Sequence, residues 1–290
     1  MMIMIYIKRI AKKIFSIFQR KTIIYTEIVR LSPNEMLKDR FVLITGGTSG
    51  IGFSIAESFI NAGAVVCITG RDIKRCEKAV EQLKVKTGNR NNDKIFCCEM
   101  DMLQVSSFEQ VVSSVVQKMG KIDILVNNAG INLNGSYHCT EEAYNSILDT
   151  NLKGMFFLSR CVGEYMVKNE IGGNILNIAS ASSLRPAINP YIISKWGVRG
   201  LTQGLAKKYI KHNIVVNGLA PGPTATPMLR KDGHQDNISL PNTPSGRYAL
   251  PEEIANMAVV LTSSMGRLIV GDIVYMTGGA GLLTYDDIKY

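Results

Sequence analysis

Thr45-Gly46-Gly47-Thr48-Ser49-Gly50-Ile51-Gly52 packs four glycines into eight residues, so residues 45–52 read as a tight turn. Ahead of it runs Phe41-Val42-Leu43-Ile44, a short apolar run rich in strand formers. Behind it, Ile51, Ile55, Phe59 and Ile60 recur at helical spacing as far as Ala62. The glycines therefore join a buried strand to the start of a helix. Gly46 is free to take backbone angles that side chains forbid. Gly50 lets a pyrophosphate approach the main chain, and Gly52 lets the helix pack close to the strand. The free N–H groups at the helix start face the phosphates. The spacing is Gly-x-x-x-Gly-x-Gly rather than the commoner Gly-x-Gly-x-x-Gly.

From Phe41 onward, apolar strands alternate with helical segments. Strands are expected at 41–44, 65–69, 94–100, 124–127, 174–180, 214–219 and 273–277, and helices at 73–86, 106–119, 191–212 and 251–263. A further helix over 142–170 is expected to break near Thr150. Repeated strand–helix units imply an α/β fold, a doubly wound parallel sheet of about seven strands with helices on both faces. Ligands of such sheets bind outside the carboxyl ends of the strands. Neither a repeat nor an internal linker divides residues 41–290, which read as one domain.

Composition narrows the function classes. The chain has 290 residues, 46% of them hydrophobic and 20% charged, which describes a globular protein with a sizeable core. The net charge is +9, but residues 1–40 hold nine Lys/Arg against three Asp/Glu and so carry most of it. The basic character thus belongs to an N-terminal extension and does not argue for nucleic-acid binding by the core. The six cysteines contain no Cys-x-x-Cys pair and read as reduced thiols of a cytoplasmic protein. Cys97 and Cys98 share a strand, so they should point to opposite faces. The three histidines lack ligand-like spacing, and no metal site is expected. Residues 1–25 contain six bases and no acid, with Ile3, Ile7, Ile10, Ile14, Ile17 and Phe18 on one helical face. They form neither a secretory signal nor a membrane span. Two readings stand open: an interfacial helix on an anionic membrane surface, or a helix packed on protein.

The chemistry-bearing residues follow in order. Tyr191 and Lys195 are four apart at a helix start and share a face. A tyrosine, with pKa about 10, is a poor acid–base partner at neutral pH. A nearby cation favours the phenolate and lowers that pKa. Tyr191 can then give a proton to a carbonyl oxygen or take one from an alcohol. Ser180 ends the apolar run Ile175-Leu176-Asn177-Ile178-Ala179, where its hydroxyl can donate to a substrate oxygen. Ser182 and Ser183 lie close by as alternatives.

Over nearly all of residues 41–280 the sequence resembles the short-chain dehydrogenase/reductase family. The motifs that carry the resemblance are Thr45–Gly52, Asp101, Asn127-Asn128-Ala129-Gly130, Asn151, Ser180, Tyr191-x-x-x-Lys195 and Pro221-Gly222. The resemblance implies a Rossmann-type domain with Ser180, Tyr191, Lys195 and Asn151 as catalytic residues. Lys195 would hold the nicotinamide ribose, and Asn151 would support a water relay behind it. Cofactor contacts are implied for Thr45, Gly46, Thr48, Ser49, Gly50, Ile51, Gly52, Asp101, Met102, Asn128, Ala129, Gly130, Tyr191, Lys195, Pro221, Gly222, Thr224 and Thr226. It also implies a dimer or tetramer, and the apolar Met155, Phe156 and Trp196 suit such contacts. Ser180 stands 11 residues before Tyr191, against a usual gap of about 13 in the family.

Relatives that prefer NAD carry an acid after the second strand. Here that position is Gly70, followed by Arg71, whose guanidinium can pair with a 2′-phosphate. NADP(H) is therefore the expected cofactor, with Asp72 opposing. Substrate contacts are expected from Leu184–Pro190 and from the proline-rich loop at about 223–250, which could close as a lid. Gly246–Glu253 and Thr277-Gly278-Gly279 are departures from the family pattern expected to lie away from the chemistry. The overall pattern is similar to 3-oxoacyl-carrier-protein reductases, which makes a small carbonyl or alcohol the expected substrate. Lys207, Lys208 and Lys211 could receive an acidic carrier. Keto-sugar and polyol reductases share the motifs. A non-catalytic NADP(H)-binding sensor or scaffold is the alternative from another class.

Overall fold

The chain forms its strands where apolar runs can be buried on both sides. A computed structural model describes residues 32–88, 92–133, 136–228 and 238–284. Its strands are β1 (Phe41–Thr45), β2 (Val65–Gly70), β3 (Ile95–Glu99), β4 (Ile124–Asn127), β5 (Asn174–Ile178), β6 (Val215–Pro221) and β7 (Ile273–Met276). They make one parallel seven-stranded sheet in the order β3-β2-β1-β4-β5-β6-β7. Alternate side chains feed two core layers. Val42, Ile44, Val66 and Ile68 join one layer, while Leu43, Cys67, Leu125 and Val216 join the other. Cys97 packs against the first layer and Cys98 against the second, as strand alternation requires. All six cysteines are free thiols.

Helices cover both faces. The first layer is closed by α1 (Gly50–Asn61), α2 (Ile73–Lys86) and a helix near the C-terminus. The second is closed by α3 (Phe108–Met119) and by two helices that follow it. Caps fix where several begin. The Asp72 carboxylate accepts from the Lys74 and Arg75 amides at 2.9 and 3.2 Å and starts α2. Thr140 accepts from the Ala143 amide and starts α4 (Glu141–Leu148).

The helix expected over 142–170 does break near Thr150. After α4 comes a π-helical segment, Asp149–Gly154, then α5 (Met155–Lys168). Gly154 permits a close approach there, since a Cβ on it would lie 2.6 Å from the Met102 carbonyl oxygen. Downstream, Asn189 accepts from the Ile192 amide at 2.9 Å, and Pro190 occupies the first turn of α6 (Pro190–Tyr209). The C-terminal helix of the first layer, α7 (Pro251–Thr262), starts with Glu253 accepting from the Leu250 amide. Met155 is buried at 1% exposure in a core cluster, so it is unsuited to the intersubunit contact expected of it. Phe156 and Trp196 are 42% and 41% exposed. The basic stretch at residues 1–25 lies outside the described residues. Among the described residues no helix is long and apolar enough to cross a membrane.

Candidate active site

The sheet reverses its strand order between β1 and β4, and a cleft of about 970 Å³ opens at their carboxyl ends. The glycine turn after β1 forms its floor. Gly46 has φ +65° and Gly50 φ +57°, both in the left-handed region that favours glycine. A Cβ on Gly46 would lie 2.9 Å from the Ala129 Cα, and one on Gly52 would collide with the Asn128 side chain. Ser49 precedes α1 without a side-chain cap, so the first amides of α1 are left for an anion. This cradle fits the pyrophosphate of a dinucleotide.

Eighteen of the expected residues line the cleft: Gly46, Thr48, Ser49, Gly50, Ile51, Arg71, Asp101, Met102, Asn128, Ala129, Gly130, Ser180, Tyr191, Lys195, Pro221, Gly222, Thr224 and Thr226. Three expected residues stand behind the wall instead. The Thr45 hydroxyl, buried, accepts from the Asn128 and Ala129 amides at 3.0 Å each. Gly52 gives room to Asn128, whose side chain donates to the carbonyls of Thr45 and Gly46 at 2.9 Å. Asn151, in the π-helical segment, accepts from the Ile131 amide at 2.8 Å and donates to the Ile131 carbonyl and the Ser194 hydroxyl. Both of its amide hydrogens are thus occupied. Its side chain ties the strand-end loop to the helix that carries Tyr191 and Lys195.

At the other end of the cleft, Ser180 Oγ accepts from the Ser182 amide at 3.1 Å, and the Ser180 hydroxyl stands where it favours the Tyr191 phenolate. Ser183 is fully buried, donates to the Ser180 carbonyl at 2.8 Å, and does not line the cleft. Of the three serines, Ser180 is therefore the one that acts on Tyr191. Lys195 is 5% exposed and donates to the Ile178 carbonyl at 3.0 Å, with its ammonium 5.6 Å from the Tyr191 ring centre. Burial pulls the Lys195 pKa down to about 8. Burial also raises the Tyr191 phenol above its ordinary value, against the pull of the Ser180 hydroxyl. The lowering of Tyr191 expected from Lys195 is thus not produced by these side chains. Lys195 is aimed at a main-chain carbonyl, and its own charge is penalised by the same burial.

The adenosine end holds residues that spacing alone does not single out. Arg75, in the first turn of α2, lines the cleft along with Arg71. Asp72 lines it too, but its carboxylate is engaged in capping α2. A Cβ on Gly70 would sit 3.1 Å from both Cys76 Sγ and a Thr48 methyl, so this position is tight for any side chain. On the substrate side, Arg185, Asn189, Leu240 and Tyr248 contribute. Tyr248 corrects the expectation that 246–253 lies away from the site. Thr277 also abuts it, since a Cβ on Gly222 would lie 2.7 Å from the Thr277 Cα. The loop stretch 229–237 is outside the described residues.

This sheet, with its glycine turn and its serine, tyrosine and lysine at one cleft, is the frame of a nicotinamide-dinucleotide oxidoreductase. Residues 40–237 match the short chain dehydrogenase family model, and the chain belongs to that family. It is 36% identical over 249 residues to a 3alpha-hydroxysteroid dehydrogenase of Mediterraneibacter gnavus, covering 84% of this chain and 98% of the relative. It is 33% identical over 247 residues to the 3-oxoacyl-[acyl-carrier-protein] reductase FabG of Thermotoga maritima, with 84% and 98% covered. Among solved structures it is similar to an actinorhodin polyketide ketoreductase variant with NADPH. There the TM-score is 0.76 at 28% identity, covering 84% of this chain and 98% of that one.

Proposed function

We propose that the protein is an NADP(H)-dependent reductase that interconverts a ketone and a secondary alcohol. The observation that carries this reading is the meeting of Ser180, Tyr191 and Lys195 in the cleft that the glycine turn floors. Bound cofactor supplies or accepts the hydride. Tyr191 delivers a proton to the carbonyl oxygen on reduction and removes it on oxidation. Ser180, whose oxygen already accepts from the Ser182 amide, keeps its hydrogen for the substrate oxygen or for the Tyr191 phenolate. Lys195 holds the nicotinamide ribose, as in the family, and Asn151 positions the helix that carries it. The cradle amides of α1, Asn128–Gly130 and Asp101 hold the rest of the dinucleotide.

NADP(H) is favoured over NAD(H) by Arg71 and Arg75 at a position with no acid at residue 70. The Asp72 carboxylate is turned to the Lys74 and Arg75 amides, where it caps α2. The NADPH of the ketoreductase supports the same choice. Substrate candidates are 3-oxoacyl thioesters, after the FabG relatives, and keto-sugar acids. A 2-dehydro-3-deoxy-D-gluconate 5-dehydrogenase of Dickeya dadantii, 34% identical over 249 residues, favours the second.

A carbonyl panel with 3-oxoacyl thioesters, keto-sugar acids and simple ketones tests this. NADPH oxidation is expected with at least one of them, and faster than NADH oxidation. Arg71→Ala should weaken NADPH by about 1.5–3 kcal/mol, the worth of a charge-assisted contact, and leave NADH unmoved. Absence of turnover with every compound, despite NADPH binding, would favour the sensor or scaffold role. Equal losses for both cofactors would make Arg71 structural.

A further inference from the structure

The segment between Ser180 and Tyr191 is the part of the site where this chain departs from its family in length. It is ten residues long, and it begins with a single 3₁₀ turn, Ala181–Leu184. Side-chain hydrogen bonds pin it. The Ser183 hydroxyl donates to the Ser180 carbonyl at 2.8 Å. That occupies its only hydrogen, so the 3.1 Å contact between Ser183 Oγ and the Tyr275 hydroxyl has Tyr275 as donor. Tyr275 stands on β7, an edge strand at the far side of β6. Arg199 donates to the Ser183 carbonyl at 3.4 Å, and the Trp196 indole donates to the Arg185 carbonyl at 2.8 Å.

We infer that Tyr275 and Ser183 are positioning residues for Ser180, forming a relay that runs Tyr275 hydroxyl to Ser183 hydroxyl to Ser180 carbonyl. Ser180 is held twice. Its carbonyl accepts from the Ser183 amide at 3.0 Å and, through the relay, from the Ser183 hydroxyl, and its side-chain oxygen accepts from the Ser182 amide along the same turn. With one of the oxygen's two lone pairs taken by the Ser182 amide, the hydroxyl's rotation is restricted and its hydrogen is left to turn toward Tyr191 and the substrate oxygen. Ser183 is fully buried and off the cleft wall, so it acts through Ser180 and touches no substrate. Among the described residues, the Ser183 hydroxyl is the one place where β7 reaches the turn by side-chain hydrogen bonding. Loosening the relay lets the Ser180 hydroxyl swing. Substrate binding, which draws on the whole cleft, is then little changed. Proton transfer is impaired, because the donor that favours the Tyr191 phenolate is misplaced.

This inference rests on the reductase reading, so wild-type turnover on a ketone and its loss in Tyr191→Phe are established first. Tyr275→Phe keeps the ring and removes the one hydroxyl. We expect kcat to fall about tenfold with KM within about twofold. The pH dependence of alcohol oxidation should move alkaline, because the Tyr191 phenolate loses support. Ser183→Ala should reproduce both changes, with Ser183→Thr restoring the alkaline limb toward wild type. In a Ser180→Ala background Tyr275→Phe should have no further effect, since its action passes through Ser180. The relay is overturned if Tyr275→Phe leaves kcat and the pH profile unchanged. It is equally overturned if kcat falls without any pH shift, or if the loss adds in full to that of Ser180→Ala. A wild type inactive on every ketone removes the reductase reading and the relay with it.

Discussion

Lys195 is a cation that burial penalises: 5% exposed, held by the Ile178 carbonyl, with its pKa drawn down from 10.5 to about 8. The sign of its effect on stability follows. Between about pH 8 and 10.5 the unfolded chain holds the proton and the folded chain does not, so stability rises with pH across that window. Below pH 8 both states are charged and the full penalty, about 3 kcal/mol, weighs on the folded protein. Lys195→Met should therefore remove activity while stabilising the cofactor-free protein at pH 7. The gain should be about 1–3 kcal/mol, since the Ile178 carbonyl loses its donor. Denaturant midpoints at pH 7 and pH 10 check this, and the gap between variant and wild type should narrow at pH 10. A variant less stable at pH 7, with a gap indifferent to pH, would show that the buried ammonium is not under strain. The pairing of Tyr191 with Lys195 was legible from their spacing of four residues. The direction of the Tyr191 shift was not, because it depends on how deeply the phenol sits and where the ammonium points.

At the scale of elements, α5 and α6 meet through Gly163 and Tyr209. Tyr209 is 1% exposed, and its hydroxyl is buried without a hydrogen-bond partner among the described residues. A Cβ on Gly163 would collide with the tyrosine ring. Two opposite outcomes follow for small changes at one contact. Tyr209→Phe should be neutral or stabilise by about 1 kcal/mol, because an unsatisfied buried hydroxyl is removed. Gly163→Ala, which ordinarily gains about 1 kcal/mol in a helix, should instead destabilise by about 1–3 kcal/mol through overpacking. Urea midpoints read both, and a stabilising Gly163→Ala would contradict the packing. Periodicity placed the strands and most helices within a residue or two, because apolar spacing reports directly on burial. It could not place the turn at Ala181–Leu184 or the type of break at Asp149–Gly154. Those depend on Tyr275, Met102 and Ser194, which are distant in sequence.

At the scale of the whole molecule, the strand order puts the glycine turn after β1 and Asn128–Gly130 after β4 on the two sides of one crevice. Ser180 follows β5, and Tyr191 and Lys195 come with α6. Alternating apolar runs imply this parallel sheet, so the cofactor end was readable from the chain. The substrate end was less so. Arg185 and Asn189 fall in the expected stretch, but Tyr248 enters from a segment expected to lie elsewhere. The central claim is that Tyr191 supplies the proton in an NADPH-dependent carbonyl reduction, and Tyr191→Phe tests it most directly. Titration of the variant with NADPH should give an affinity within about twofold of wild type, while turnover on the substrate found in the panel falls by about 10²-fold or more. Undiminished turnover, with NADPH bound as before, would contradict it.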